Sequence, residues 1–298
     1  MTNISQPLSA LSGTVDEGRR TPNVFLRLLH QRMVPVALGV LLLVLICAVF
    51  APVIAPADPV ATSPLQALKS PSLDHPMGTD QLGRDILSRT IYGARVSLLI
   101  GFLAVTLSVI VGVPLGLISG YFGGMVDNII MRAMDTIIAF PQIILALAIV
   151  AAFGGGIVQV LIAIGVGSIP PYCRVTRGQV LSVREEDYIR AAQSMGSTNV
   201  RLLLRHILPN VMSPLIVQAS LGVAFAILAE AGLSFLGVGV DPKTPTWGGM
   251  LSQALPIIRR AFHPSLFPGL AIFVTVLAVN VLGDALRDVL DPRLRGRS

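Results

Sequence analysis

Residues 96–118 read VSLLIGFLAVTLSVIVGVPLGLI, a run without a single charged side chain. A helix needs about 20 apolar residues to cross the hydrocarbon core of a bilayer, so this segment is long enough to span a membrane. The rest of the chain has the same character, because 53% of its 298 residues are hydrophobic and only 13% are charged. Soluble domains carry about 25% charged residues. A single soluble core cannot hide so much apolar side chain, so the sequence indicates a membrane protein.

Five further apolar runs predict an all-α, polytopic membrane protein with about six transmembrane helices. Together with 96–118, the predicted spans are 34–54, 137–153, 157–172, 211–229 and 266–282. Lysine and arginine are more frequent in both tails and in the segments on their side of the membrane. The positive-inside rule therefore predicts that the N- and C-termini are cytoplasmic.

This order of spans divides the chain into segments. They are an N-terminal cytoplasmic tail (1–33), the first transmembrane helix (34–54), an extracytoplasmic loop (55–95), a core with five transmembrane helices (96–285) and a C-terminal cytoplasmic tail (286–298). The basic residues of the first tail are expected to meet anionic membrane lipid; they are Arg19, Arg20, Arg27 and Arg32.

Several function classes receive no support from the residues. The net charge is +6, but the basic residues are not clustered on an aromatic-rich face, so no nucleic-acid partner is expected. Neither Lys69 nor Lys243 belongs to a Gly-Lys-Ser/Thr motif, so no nucleotide is cradled in that way. The two cysteines and four histidines are scattered, so no metal site is expected. No charged residue is expected deep in a span, which argues against a proton-driven carrier.

One polar loop interrupts the apolar pattern, at 184–210, reading REEDYIRAAQSMGSTNVRLLLRHILPN. Ser182 and Glu185 have the spacing of a capping box, which predicts a helix from about Val183, with acidic residues in its first turn. Gly196 supplies the left-handed conformation after its end. The side chains expected to meet a docking partner, within a coupling loop at 184–209, are Glu185, Glu186, Asp187, Tyr188, Ala191, Ala192, Met195, Gly196, Leu208 and Pro209.

A second short helix is predicted at 199–208. Ser197 or Thr198 is expected to cap its beginning, and Pro209 is expected to end it before the fifth span. The alternative interpretation of the whole loop is an amphipathic helix that lies on the lipid surface. That alternative explains the arginines but not the acidic first turn or the pair of alanines.

The loop resembles a known motif. Ala191-Ala192-x3-Gly196 followed by Leu208-Pro209 is similar to the EAA motif of membrane subunits of binding-protein-dependent ABC importers. Five further segments resemble the C-type permeases of dipeptide, oligopeptide and nickel importers: 75–85 (HPMGTDQLGRD), 92–98 (YGARVSL), 233–237 (LSFLG), 245–248 (PTWG) and 288–293 (DVLDPR).

The resemblance implies a type I ABC importer permease fold in the bacterial inner membrane. It implies peptides or similar small solutes as cargo and an extracytoplasmic binding protein that delivers them. It also implies a second homologous permease and two ABC ATPase subunits, which would use ATP and Mg²⁺. The chain itself would bind no cofactor and would not be an enzyme.

The loop departs from the family pattern at two positions. Arg190 stands where the motif has glutamate, and His206 stands in the isoleucine position. The acidic function is left open between Glu186 and Asp187.

Two further groups of residues allow both a functional and a purely structural interpretation. Gly112, Gly116 and Gly120 form a small-xxx-small pattern, which predicts close helix packing within this subunit or, alternatively, between subunits. The polar residues inside apolar runs are expected to line a pathway or to form hydrogen bonds between helices; they include Gln142, Gln218 and Asn280.

The main rival function is an autonomous channel or secondary transporter that uses the loop as an inner gate. Inverted repeats and intramembrane charges would favour it, and neither is visible. A membrane-embedded hydrolase lacks a recognisable nucleophile–base pair.

Overall fold

The structure, a computed structural model, describes residues 31–290, and the regular elements of that range are helices. Pairing of extended backbone there is limited to one isolated bridge between Thr79 and Asp85. The longer helices are α1 (Val34–Val49), α2 (Ile86–Phe122), α3 (Gly124–Ile138), α4 (Gln142–Phe153), α5 (Ile157–Gly167), α6 (Ile169–Val183), α7 (Asp187–Ser194), α8 (Asn199–Phe235), α9 (Trp247–Ala254) and α10 (His263–Leu290). Short helical turns cover Ala51–Ile54, Pro64–Gln66 and Leu255–Ile257.

The predicted all-helical membrane architecture is confirmed. Within residues 31–290, four helices are long and apolar enough to cross a membrane: α2, Ile157–Val183 (α5 with α6), α8 and α10. Helices α3 and α4 meet at a bend of 87° and form a fifth candidate if they count as one span. The sixth apolar helix, α1, has 16 residues.

Several predicted boundaries differ from the structure. Asp85 caps α2, because its side chain accepts a hydrogen bond of 2.7 Å from the backbone N–H of Ser88. The loop after the first span therefore ends ten residues before the predicted boundary. Pro170 and Pro171 do not end the fourth span, since they lie in the first turn of α6, where a missing N–H costs nothing.

Helix α2 is the centre of the bundle and packs against α1, α5, α6 and α8. A buried cluster between these helices includes Ile100, Ala104, Val160, Ile164 and Leu233. A second cluster joins the bundle to the coupling loop; its members include Leu117, Val180, Ile189, Ile207 and Val211. The loop is thus held by its own apolar contacts with the spans.

The segment that precedes α2 packs on this chain. The Arg84 guanidinium donates to Asp80 at 2.6 Å and also to the side chain of Gln253 in α9. His263, at the start of α10, lies 3.2 Å from the carbonyl oxygen of Thr79. Residues 1–30, which include Arg19, Arg20 and Arg27, and residues 291–298 lie outside the described range.

Candidate functional site

Helix α7 carries the centre of the candidate site. It lies between the end of α6 and the start of α8, and Gly196 follows it with a φ of 82°. The backbone N–H of Gly196 donates to the Gln193 carbonyl, and that of Ser197 donates to the Ala192 carbonyl. These are the two hydrogen bonds of a Schellman motif. A residue with a side chain is strained at this φ, so glycine is required at this position.

The predicted capping box at the start of this helix is wrong. Helix α6 continues to Val183, so Ser182 lies in its last turn and cannot cap a new helix. Helix α7 begins four residues later than expected, at Asp187, and Glu186 stands before it without a side-chain cap. Asp187 is the acidic residue of the first turn, and Glu185 lies outside the helix.

The faces of α7 also differ from the prediction. Ile189 is fully buried and Ala192 is 5% exposed, so these two residues turn towards the bundle. Tyr188 and Met195 are 45% and 80% exposed, and Ala191 is exposed as well. Ala192, which the sequence predicts to meet a docking partner, therefore faces the bundle of this chain, whereas Ala191 lies on the exposed side.

Charged side chains surround the start of α7. Arg190 donates to the Glu185 carboxylate at 2.8 Å, and Arg184 approaches the same carboxylate at 3.3 Å. The hydrogen bond from Arg190, then its charge and Arg184, hold the pKa of Glu185 below its usual value. At neutral pH this carboxylate is therefore ionised and engaged by the arginine that occupies the motif's glutamate position.

The second helix of the loop begins as predicted but does not end at Pro209. Thr198 caps it, because its hydroxyl accepts from the backbone N–H of Arg201 at 3.4 Å. The helix then runs without a break into the long span, so the predicted stop is wrong. The chain adopts a wider, π-helical turn at Leu202–Ile207 just before the proline. Such a turn re-arranges the hydrogen bonds around the missing N–H.

Asn210 is not among the predicted site residues; it lies in α8 just after this turn. Its side-chain nitrogen lies 3.1 Å from the Tyr188 hydroxyl of α7 and 2.6 Å from the carbonyl oxygen of His206. Burial, and to a smaller extent the charge of Glu186, raise the pKa of Tyr188. In the sequence, Asn210 is marked only as a polar residue that follows Leu208-Pro209. Its contact with Tyr188 depends on the fold and cannot be read from the sequence.

The three pathway candidates are not brought together. Gln142 donates to the Ser168 hydroxyl at 3.1 Å. Asn280 lines an apolar cavity of about 430 Å³ with residues of α8, α9 and α10. Gln218 lines a different, more polar cavity of about 720 Å³ between α6, α8 and α10. This second cavity also contains Gln179, Asn210, Ser213 and Arg287 among its lining residues.

The three glycines of α2 lie against α6 of the same chain. A methyl group added at Gly112 would lie 2.8 Å from the Ile169 carbonyl oxygen, and one at Gly120 would lie 2.9 Å from the Arg177 carbonyl oxygen. At Gly116 it would overlap the Cys173 carbonyl. The glycines therefore let two backbones approach closely, and they do so within this subunit.

Among residues 31–290, no group of three or more His, Cys, Asp or Glu side chains could hold a metal ion. Helix α7 instead combines a buried side, at Ile189, with an exposed side that carries Tyr188 and Met195. Its chemistry suits protein contact.

Comparisons with known proteins agree with this geometry. Residues 112–296 match the family described as "Binding-protein-dependent transport system inner membrane component". Residues 23–71 match the "N-terminal TM domain of oligopeptide transport permease C". The first match covers more than half of the chain.

Curated proteins are similar to this chain over nearly its whole length. The dipeptide transport system permease protein DppC of Alkalihalophilus pseudofirmus is 44% identical over 271 residues, covering 91% of this chain and 89% of that protein. The glutathione transport system permease protein GsiD of Pectobacterium atrosepticum is 43% identical and covers 97% of each chain. A solved structure of the MetNI methionine ABC transporter in inward-facing conformations matches with a TM-score of 0.55 at 17% identity. It covers 69% of this chain and 98% of that one, and shows the fold alone.

Proposed function

The chain belongs to the inner membrane components of binding-protein-dependent transport systems, a family of transporters rather than catalysts, and we propose that it forms part of the import pathway for di- or oligopeptides. In this proposal an extracytoplasmic binding protein delivers the solute. Two partner ATPase subunits hydrolyse ATP with Mg²⁺, while this chain holds no cofactor. The relatives named for dipeptide, di/tripeptide and glutathione transport support a peptide as the cargo.

The observation that carries the proposal is that α7 is buried on one side and exposed on the other. Ile189 is buried in the cluster that also contains Val180, Ile207 and Val211, so the helix moves with the spans to which it is fixed. Its outer surface exposes Tyr188 and Met195. A partner that grips this surface can therefore displace the span ends, which is the requirement for coupling ATP hydrolysis to transport.

The proposal also includes a second, homologous permease. The cavity around Gln218 lies between spanning helices and has polar lining residues, among them Gln179, Asn210 and Ser213. Polar groups are costly against lipid, so a second subunit that covers this surface would satisfy them. A pathway between two permeases follows from that arrangement.

The orientation in the membrane belongs to the same proposal. The distribution of basic residues favours both termini, and α7 with them, on the cytoplasmic side. The loops that contain Arg84 and Trp247 then face outward, where the binding protein arrives. On this arrangement α7 lies in the compartment that supplies ATP.

Co-expression of the chain with a candidate second permease, ATPase subunits and binding protein tests the proposal. We expect the ATPases to co-purify with the permeases, and reconstituted vesicles to take up radiolabelled alanyl-alanine only with ATP and the binding protein. Met195→Glu and Ala191→Arg should each reduce co-purification, because they place a charge on the exposed surface of α7. The control is Leu65→Glu, which changes a 97% exposed leucine in the opposite loop and should leave co-purification unchanged.

Two results would contradict the proposal. Uptake by this chain alone without ATP would instead support an autonomous channel or secondary transporter. Full co-purification and native uptake with both α7 variants would show that the ATPases bind elsewhere.

A further inference from the structure

The side-chain amide of Asn210 joins α7 to the beginning of the long span α8. Its nitrogen contacts the Tyr188 hydroxyl at 3.1 Å and the His206 carbonyl oxygen at 2.6 Å. A primary amide nitrogen carries two hydrogens, so both contacts can form at once. A carbonyl oxygen only accepts, which fixes the nitrogen, and not the amide oxygen, at this place.

The bond to His206 compensates for a local defect in the helix. Pro209 provides no backbone N–H, and the preceding turn, Leu202–Ile207, is π-helical. The Asn210 side chain supplies a donor to one carbonyl of that turn. A second proline, Pro214, lies inside the same helix, so this part of α8 is held by fewer backbone hydrogen bonds than a regular helix and can change its register more easily.

Asn210 also lines the polar cavity between the spans. It lines the cavity of about 720 Å³ together with Gln179 of α6, Gln218 of α8 and Arg287 of α10. One residue thus touches the exposed helix α7, the irregular turn of α8 and the polar cavity between the spans.

We propose that Asn210 is a positioning residue, which passes the displacement of α7 to the part of α8 that lines this cavity. The inference rests on the proposed function, because it takes the ATPase contact with α7 as the source of the displacement. The apolar contacts of Ile189 with the bundle are non-directional, and they hold α7 in place without fixing its rotation. The hydrogen bond to Tyr188 is directional, so it links the angle of α7 to the angle of α8.

The test follows the accessibility of this cavity with a chemical probe, in the complete importer reconstituted in nanodiscs. Gln179→Cys introduces a thiol at the cavity, in a background where Cys47 and Cys173 are replaced by serine. Its rate of labelling by a membrane-impermeant maleimide is measured with and without ATP and vanadate. If nucleotide does not change this rate in the otherwise native complex, the proposed function fails before Asn210 is tested.

Three variants are then compared: Tyr188→Phe, Asn210→Ala and the two combined. The labelling rate is compared at equal amounts of bound ATPase, because Tyr188 also lies on the exposed surface of α7. We expect the nucleotide-induced change in labelling to fall about twofold to tenfold in each single variant, the range for one net hydrogen bond. The double variant should be no worse than the single ones, because both remove the same contact. Tyr188→Phe keeps the ring in place, so it remains informative even if Asn210→Ala does not fold.

The chain offers a matched control in Tyr121→Phe. The Tyr121 hydroxyl, at the end of α2, donates to the Asn199 side chain at 2.8 Å. This second tyrosine–asparagine bond ties the coupling loop to α2 and does not involve α7. This variant should respond to nucleotide like the native complex. The proposal is overturned if Tyr188→Phe also responds like the native complex while Asn210→Ala does not, since Asn210 would then only satisfy the His206 carbonyl. It is also overturned if the two single effects multiply in the double variant.

Discussion

The hydroxyl of Ser97 in α2 donates a hydrogen bond of 3.0 Å to the carboxyl group of Glu230 in α8, and both residues are fully buried. Ser234, one turn further along α8, donates to the other carboxyl oxygen at 2.8 Å. The sequence predicts no charged side chain deep in a span, because Glu230 follows the end of the predicted span 211–229. The fold instead encloses it completely and uses it to join two spans.

Glu230→Ala should destabilise the permease by about 2–4 kcal/mol, because it leaves a cavity and two buried hydroxyls without their acceptor. Glu230→Gln keeps the volume and one acceptor oxygen, so its cost should stay below about 1 kcal/mol. Trp247, the only tryptophan, is buried and close in sequence to this region, so its fluorescence during thermal unfolding in detergent measures both. Equal melting temperatures for the two variants would show that the hydrogen bonds at Glu230 contribute nothing.

Gly116→Ala should destabilise the contact between α2 and α6. The added methyl group would overlap the Cys173 carbonyl and lie 2.6 Å from the Thr176 Cβ, and overpacking of this kind costs about 1–3 kcal/mol. Gly178→Ala in α6 is the matched control, since no atom lies within 4 Å of the position of its added methyl group. It should be neutral or stabilising, because alanine favours a helix by up to about 1 kcal/mol. A melting temperature for Gly116→Ala as high as that of Gly178→Ala would contradict the packing described here.

The apolar, helical character of the chain and the glycine pattern could be predicted because they depend on local composition and on helical spacing. Gly196 and Thr198 could be predicted for the same reason, since a left-handed residue and a cap are local requirements. The capping box at Ser182 could not, because the neighbouring span continues through that residue. Tertiary packing decided where one helix ended and the next began.

The course of the chain at Pro209 required information that the sequence pattern does not contain. A proline normally ends or kinks a helix, but here a wider turn and the Asn210 side chain replace the missing hydrogen bonds. The partner of that side chain, Tyr188, lies 22 residues away. Only the packing of α7 on α8 brings the two together, so a pattern within one helix cannot reveal the contact.

Ala191→Arg and Ala192→Arg should fail in different ways, although the residues are neighbours. Ala192 is 5% exposed, and an arginine there places a charge in the buried contact of α7, so the protein should accumulate poorly in the membrane. Ala191 is exposed, and its variant should accumulate normally but retain less ATPase. Membrane abundance by immunoblot, and ATPase per permease after purification, separate the two effects. Normal accumulation of Ala192→Arg would show that α7 is not anchored on that side.

The ion pair between Glu185 and Arg190 predicts a rescue by charge exchange. Arg190→Glu alone places two carboxylates side by side where the native chain has a 2.8 Å pair, so α7 should lose its orientation and the complex should retain less ATPase. Glu185→Arg combined with Arg190→Glu restores opposite charges and should recover retention. Both side chains are more than half exposed, so the effect should weaken at high salt.

Acid pH should act on the same pair. Arg190 lowers the pKa of Glu185, so the pair is intact at neutral pH and is lost as the pH falls through that lowered pKa. Glu185→Gln should therefore reproduce at neutral pH the ATPase retention that the native complex shows in acid.

If the charge exchange instead retains less ATPase than Arg190→Glu alone, Arg190 binds the ATPase directly. The pair would then not be the means by which α7 is oriented, because restoring it would have restored the contact.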